Sequence, residues 1–509
     1  MSKIELSPEL EARLLAACKL MGYENLFPLQ AESIRLNMAK KQTLTLMPTG
    51  GGKTACYVIP TLAMQRITVV VSPLIALQND QVTALKERGI QAFLYNGEVP
   101  DDEKEAISGR LMYCKQVKQP AFLFVSPESL ISERFLELFK PGLFDCMAID
   151  EIHCVSTWGN AFRPDYQRLG KAAIRLQIPL CGGYTATVTD DIVADIFRYT
   201  PLVKKVCRVV RGESVRSNLH LQVINCSEFT GNVKARADAK KNRLLKLTEQ
   251  ARGAVIVYCG SRYACNSMYE HMPLRGWLKR QGYTTYVYHS EVPDEEKRKV
   301  EHGFNNDRKP LVFATNAFGM GIDRPDVGLV AHYDNPRNLL GFAQEIGRAG
   351  RDGENADCVT FFDAEKLEVS ETRRKFALPS IAFVESTHQR LKKAFLKKKP
   401  GKGRDEFSTS KFMRMFEHTV RNSDTLKDPD RFINQTRESL ALLKRAGYIR
   451  EDGHEAFQML KLNPGDKRHG KLIGFTQMSE RSEVAQSQAV GAFFTSEKPI
   501  QELLWQLLG

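Results

Sequence analysis

The chain has 509 residues, 42% hydrophobic and 26% charged, with 73 basic against 60 acidic side chains and a formal charge of +13. At ~150 residues per domain, that length allows about three domains, and the composition excludes a wholly disordered chain. The best apolar run, Ile67 to Leu77, is interrupted by Ser72-Pro73 and falls short of the ~18 residues a membrane helix needs. The opening segment carries Lys3, Glu5, Glu9, Glu11 and Arg13, so it lacks the apolar core of a secretory signal. The expectation is an intracellular protein with no membrane segment. The eleven cysteines are scattered and form no Cys-x-x-Cys pair, so buried reduced thiols are expected rather than a disulfide framework or zinc ribbon. The positive charge suits a polyanionic partner without identifying one.

In chain order, Thr43-Leu46, Ile67-Val71, Phe122-Val125 and Cys146-Ile149 read as buried strands ending at turn residues such as Pro48, Ser72-Pro73 and Ser126-Pro127. Helical stretches separate them, Ala76 to Glu87 among them. Strand-helix alternation implies βαβ units and a parallel sheet. The pattern restarts with Leu219-Ile224, Ala254-Cys259, Thr284-Tyr288, Pro310-Ala314 and Gly328-Tyr333. Two α/β lobes are therefore expected, over 1–205 and 206–365. Beyond 365 the alternation stops. A helical basic spacer is expected over 366–407; its Arg390 to Arg404 stretch holds eight basic residues and no acidic one. It reads equally as a solvated connector or a phosphate-contacting arm. Over 408–509, Asp428-Pro429 opens a helix bearing Phe432, Ile433, Leu440 and Leu443, and a hairpin turn at Asp452-Gly453 follows. Helix followed directly by hairpin predicts a winged-helix domain.

Three motifs carry chemistry. Met47, Pro48, Thr49, Gly50, Gly51, Gly52, Lys53 and Thr54 lie between a predicted strand and a predicted helix. Glycines there let backbone N–H groups turn inward onto phosphate oxygens, and the helix N-terminus adds a favourable field for anions. Lys53 is expected on the β- and γ-phosphates, and the Thr54 hydroxyl on Mg²⁺. Met47 stands where the strict phosphate-loop pattern has its first glycine. Asp150-Glu151-Ile152-His153 follows a strand, which puts carboxylates at the mouth of an open α/β sheet. Asp150 is expected to hold Mg²⁺ and Glu151 to orient the attacking water; without the upstream loop, the pair would read as a helix cap. The segment from Gln344 to Gly353 places Arg348 and Arg351 three residues apart, on one face of a predicted helix, with Gln344 upstream. These arginines, with the Gly-rich segment 313–325, are expected to face the phosphate loop across an interlobe cleft. An arginine supplied in that way can be worth ~10³ to 10⁵ in rate.

With these motifs in this order, the chain resembles the RecQ-type DNA helicases of helicase superfamily 2. The resemblance implies two tandem RecA-like parallel-sheet lobes, and ATP and Mg²⁺ as cofactors. It also implies single-stranded and duplex DNA as partners, 3′-to-5′ translocation, and a role in DNA repair or recombination. The segment MGYENLFPLQ resembles the family's adenine-recognition segment, which implies that Tyr23 stacks on the base and Gln30 hydrogen-bonds its edge. Phe27 stands where the family usually has Arg. The segment CVSTWGNAFRPDYQRLG, 154–170, resembles the family's aromatic-rich loop. Trp158 and Phe162 would then stack on bases, each worth ~1 to 3 kcal/mol, and Arg163 would contact phosphate. Against this stands a core role for the two rings, which the neighbouring Gly159, Asn160 and Pro164 disfavour.

The usual four zinc-binding cysteines after the second lobe are missing: Cys358 is the only cysteine beyond Cys265, and Glu371-Thr372-Arg373-Arg374 occupies the expected Cys-Arg-Arg position. No zinc is expected. The hairpin tip has no aromatic wedge, and no further C-terminal helical domain is expected. A monomer is expected, associated with DNA in cytoplasm, nucleoid or nucleus. The alternatives are a DNA translocase that does not separate strands, an RNA helicase, and a winged-helix regulator with a degenerate motor.

Overall fold

The computed structural model describes residues 4–47, 50–73, 75–97, 99–156, 164–186, 188–212, 216–319, 322, 324–367, 378–397, 409–421, 429–446, 448–450, 458–459 and 467–508. The chain forms two compact units. One comprises Met1–Ile131, Leu138–Ala364 and Ala489–Gly509; the other comprises Ser132–Glu137 and Glu365–Gln488.

The first unit holds two sheets. Strands β1 (Thr43–Leu46), β2 (Ile67–Val71), β3 (Gln91–Tyr95), β4 (Ala121–Val125), β5 (Cys146–Ile149), β6 (Leu180–Thr185) and β7 (Arg208–Arg211) form a sheet ordered β3-β4-β2-β5-β6-β1-β7. Every pairing in it is parallel. Strands β8 (Leu219–Asn225), β9 (Ala254–Tyr258), β10 (Thr284–Tyr288), β11 (Pro310–Ala314), β12 (Val327–His332) and β13 (Ala356–Phe362) form a second sheet ordered β10-β11-β9-β12-β13-β8, also all parallel. These are the expected RecA-like lobes.

Burial on both faces explains the unbroken apolar strands: every residue of β2, β4 and β5 is buried. Phe122 and Phe124 of β4 are fully buried, and truncating either to Ala is expected to cost ~3–5 kcal/mol. Strands β3, β6, β7 and β13 are not among those expected from sequence. Strand β6 reads LCGGYT, and its glycines hide it from β-propensity. They are required by packing: a β-carbon on Gly183 would collide with Ile152, and one on Gly182 would press on the Tyr184 ring. Strand β7 is a half-exposed edge rich in arginine, and it pairs with β1. The first sheet therefore runs to Arg211, past the expected 205/206 division.

Ten of the eleven cysteines are buried, Cys226 is half-buried, and all are free thiols. Cys358 lies in β13 with its thiol turned to the Ile346 carbonyl, 3.9 Å away, as a core residue would. Segment 371–374 lies outside the described residues. Among the described residues, no helix is long and apolar enough to cross a membrane.

In the second unit, helices Ile381–Lys397, Thr409–Arg421 and Pro429–Arg445 surround one core of Val384, Leu391, Phe412, Leu440, Leu443 and Tyr448. A short antiparallel hairpin follows, β14 (Ile449–Arg450) with β15 (Gln458–Met459). The expected 407/408 boundary thus falls between helices that share a core. The hairpin tip, 451–457, lies outside the described residues. The C-terminal residues return to the first unit. Phe493 and Phe494 pack edge-on against Phe342, Phe494 stacks on Phe362, and Gln501 donates to the Leu219 carbonyl on edge strand β8.

Candidate active site

The phosphate loop leaves β1 at Met47, which is buried and packs its sulfur 3.8 Å from that of Cys56. Pro48 and Thr49 lie outside the described residues. Gly50 and Gly52 have φ of +80° and +72°, the left-handed region that favours glycine. The helix Ala55–Ala63 then starts at Thr54, and its residues are all buried, so the loop rests on a rigid base. Gln81 donates to the Thr54 hydroxyl at 3.4 Å and accepts from the Tyr57 phenol at 3.0 Å.

Gln30 is buried and differs from its expected use. Its amide N–H donates to the carbonyls of Gly51 and Gly52 at 3.0 and 3.3 Å, and its carbonyl accepts from the Phe27 N–H at 2.9 Å. In this structure it braces the phosphate loop instead of offering both groups to a base. Tyr23 follows Gly22, the left-handed cap of helix Pro8–Met21, and packs against the lobe's core. Phe27 is 66% exposed at the start of helix Pro28–Met38.

Asp150 and Glu151 close β5, beside β2. The Asp150 N–H donates to the Val71 carbonyl, and the Tyr166 phenol donates to the Asp150 carbonyl at 2.9 Å. The Glu151 N–H donates to the Asp150 carboxylate at 3.0 Å. Glu151 itself sits at φ +46°, ψ +44°, a strained conformation for a residue with a side chain; such strain gathers at functional sites. Burial, reinforced by the Glu151 charge, pushes the Asp150 carboxyl up to about 7 against the pull of Lys53. Burial raises Glu151 too, but the His153 hydrogen bond and the Lys53 and Arg348 charges outweigh it and hold that carboxyl low. His153 Nδ1 lies 3.1 Å from Glu151 Oε2 and 2.6 Å from Thr185 Oγ1, joining β6 to the acidic pair. Two carboxyls pushed apart in this way suit two roles, a metal-facing group and a charged water-orienting group.

The second lobe completes the site. Helix Leu339–Ile346 carries half-buried Gln344. Arg348 and Arg351 do not share a helix face as expected. The helix stops at Ile346, and both arginines lie on the turn that follows, where Gly350 takes φ +54°. They still reach across: a β-carbon on Gly50 would lie 3.1 Å from the Arg351 side chain. Arg348 donates to the Gly319 carbonyl and acts on Glu151; Arg351 Nη1 donates to the Ile322 carbonyl at 2.9 Å. Both arginines are thus bonded to backbone carbonyls of the Gly-rich segment 313–325.

Sequence reasoning did not single out Tyr166, His332 or Glu345. His332 bonds Glu345 at 2.8 Å and stacks on Tyr258, whose phenol donates to the Phe318 carbonyl, so β12 anchors the helix that precedes the arginine turn. No local signal marks these residues, because each acts through a partner on a neighbouring element and not through a short motif of its own. Trp158, Phe162 and Arg163 lie outside the described residues, whereas the flanks of their loop are tied down. Ser156 donates to Asp195 at 2.6 Å, and Gln167 to the Val155 carbonyl at 3.3 Å.

Two RecA-like lobes, with a phosphate loop and an acidic pair on one and an arginine pair reaching it from the other, form a two-lobed site with the chemistry to hold a nucleotide. Residues 27–196 match the DEAD/DEAH box helicase family, and residues 239–353 match the helicase conserved C-terminal domain. The chain belongs to helicase superfamily 2, where its relatives are RecQ-type helicases. It is 34% identical to the ATP-dependent DNA helicase RecQ of Bacillus subtilis over 73% of its own length and 59% of the relative's. It is 34% identical to the ATP-dependent helicase wrn-1 of Caenorhabditis elegans over 71% of its own length and 33% of that protein's. The chain therefore spans between a third and three fifths of these two relatives. By fold, it is similar to the helicase Lhr of Mycobacterium smegmatis bound to single-stranded DNA and AMP-PNP, with a TM-score of 0.51 and 20% identity, covering 86% of this chain and 56% of that one.

Proposed function

We propose that this chain is an ATP- and Mg²⁺-dependent DNA helicase, moving 3′-to-5′ along single strands and separating duplex DNA in repair or recombination. The observation that carries the reading is the reach of Arg351 from the second lobe to Gly50 of the phosphate loop, with Arg348 acting on Glu151. A triphosphate held there touches both lobes, so hydrolysis is tied to their closure and opening.

The residues fit the groups they would hold. Gly50 and Gly52 leave room for phosphate oxygens, and Lys53 supplies charge beside Asp150 and Glu151. Thr54 and Asp150 would hold Mg²⁺, which supplies charge neutralisation on the phosphates. Glu151, kept ionised, orients and polarises the attacking water. Arg348 and Arg351 stabilise charge developing on the γ-phosphate, and Gln344 joins them. Tyr23 would stack on the adenine, and Gln30 would turn from its brace to the base edge. Trp158, Phe162 and Arg163 would hold single-stranded DNA. Because the loop returns through Tyr166 to the Asp150 backbone, DNA occupancy there would reach the hydrolytic carboxylates. The helices Ile381–Lys397, Thr409–Arg421 and Pro429–Arg445 and the hairpin that follows them support a winged helix. The chain would act as a monomer, in whichever intracellular compartment holds its DNA.

Unwinding of forked, 3′-tailed and 5′-tailed duplexes with ATP and Mg²⁺ tests the reading. Forked and 3′-tailed substrates should be separated and 5′-tailed ones left intact. ATPase stimulated by single-stranded DNA without strand separation would demote the chain to a translocase. Stimulation by RNA alone would overturn the DNA assignment.

A further inference from the structure

We infer that Arg216 is a positioning residue for the arginine pair, holding the turn from Gly347 to Arg351 in the conformation that aims Arg351 at the phosphate loop. This rests on the reading of Arg351 as a transition-state arginine. The first N–H groups of the turn are spent on the helix's last carbonyls, so the turn's own carbonyls must find donors elsewhere. Beyond helix Leu339–Ile346, one guanidinium serves three carbonyls of the turn. Arg216 Nη2 donates to the Gly347 carbonyl at 2.9 Å and to that of Ala349 at 2.5 Å, and Nη1 donates to that of Gly350 at 3.3 Å. Asn218, two residues on, donates to the carbonyls of Gly350 and Glu354 at 2.9 and 2.7 Å. The Gly350 N–H is bonded to the Val327 carbonyl of β12 at 2.9 Å, so Gly350 is gripped from both sides. A β-carbon on Gly350 would lie 2.6 Å from the Asn218 amide, which leaves the turn little room to take another shape. Arg351 is the next residue.

The location of Arg216 gives the contact its meaning. It lies where the chain crosses between lobes, after β7 of the first sheet ends at Arg211 and before β8 of the second begins at Leu219. The segment whose path must change when the lobes move is thus bonded to the turn that carries Arg351. A planar fork reaching three carbonyls is something lysine cannot reproduce.

The test compares Arg216→Ala, Arg216→Lys, Arg351→Ala and the double variant Arg216→Ala/Arg351→Ala in the full chain. The readouts are DNA-stimulated ATPase kcat, the KM for ATP and the thermal midpoint. Arg216→Ala should lower kcat by about tenfold or more and move KM by less than about threefold, with Arg216→Lys intermediate. The double variant should be no slower than Arg351→Ala alone, because both changes remove one function. An unchanged kcat in Arg216→Ala, or a loss that multiplies on top of Arg351→Ala, overturns the inference. So does a lysine variant that fails to fold, since Arg216 would then hold the lobe and not aim the arginine. If Arg351→Ala keeps full turnover, it is the reading of the site that fails.

Discussion

Asp150 and Glu151 are adjacent in sequence, yet their surroundings drive them in opposite directions. Asp150 is enclosed and raised to about 7; Glu151 is held low by His153, Lys53 and Arg348. If Asp150 holds Mg²⁺ as proposed, a proton competes with the metal for its carboxylate as the pH falls. The Mg²⁺ concentration for half-maximal ATPase should rise as the pH falls from about 8 to about 6, approaching ~tenfold per pH unit at the acid end. Titrating Mg²⁺ at fixed ATP across that range measures it; a flat midpoint would detach Asp150 from the metal. Two substitutions address the chemistry directly. Lys53→Ala should remove the phosphate charge and lower kcat/KM by at least ~10²-fold, and Glu151→Gln should lower kcat by a similar factor while ATP binding survives. ATPase assays paired with nucleotide-binding titrations separate the two effects, and full activity in Lys53→Ala would refute the nucleotide site.

At the scale of elements, a strand delivers the chain to a turn, and an unrelated element braces the turn. The phosphate loop leaves β1 and is braced by Gln30 from the helix Pro28–Met38. The acidic pair leaves β5 and is braced by Tyr166 and, through His153, by Thr185. Gly52 shows how tight such bracing is, since its φ is +72° and a β-carbon would run into the Gln30 amide. Gly52→Ala combines backbone strain with loss of the brace. It should weaken ATP binding by about tenfold and destabilise the chain by ~1–3 kcal/mol. Calorimetric binding and thermal melts read the two effects. Gly22→Ala, also at positive φ but with open space around it, should show the strain and leave ATP binding unaltered.

At the scale of the whole molecule, function depends on joining distant segments. The two ends of the loop 157–163 are fastened to the acidic-pair region, so Trp158→Ala should abolish DNA stimulation of the ATPase while sparing ATP binding and basal turnover. Unchanged stimulation would remove the loop from the coupling. Across the chain, local chemistry was legible where one short segment carries it. The glycine run before Lys53, the carboxylates after β5 and the two arginines were all singled out this way as candidates. So were the apolar strands β2, β4 and β5, because burial on both faces forces an unbroken apolar run. Strands β6 and β7 were missed for the opposite reason: glycines answer to neighbours from elsewhere in the chain, and an exposed edge needs no apolar run.

The sequence by itself determined which groups could bind phosphate, metal and water, because their chemistry resides in residue type and short spacing. Only the tertiary structure decided how those groups are held. It turned the arginine helix into a helix and a turn, diverted Gln30 onto the phosphate loop, and recruited Arg216, Asn218, Tyr166 and His332 as supports. The physical reason is that a hydrogen bond between residues more than a hundred positions apart, such as Arg216 to Ala349, leaves no local pattern in either segment. It exists only once both sheets have formed and brought the two ends together.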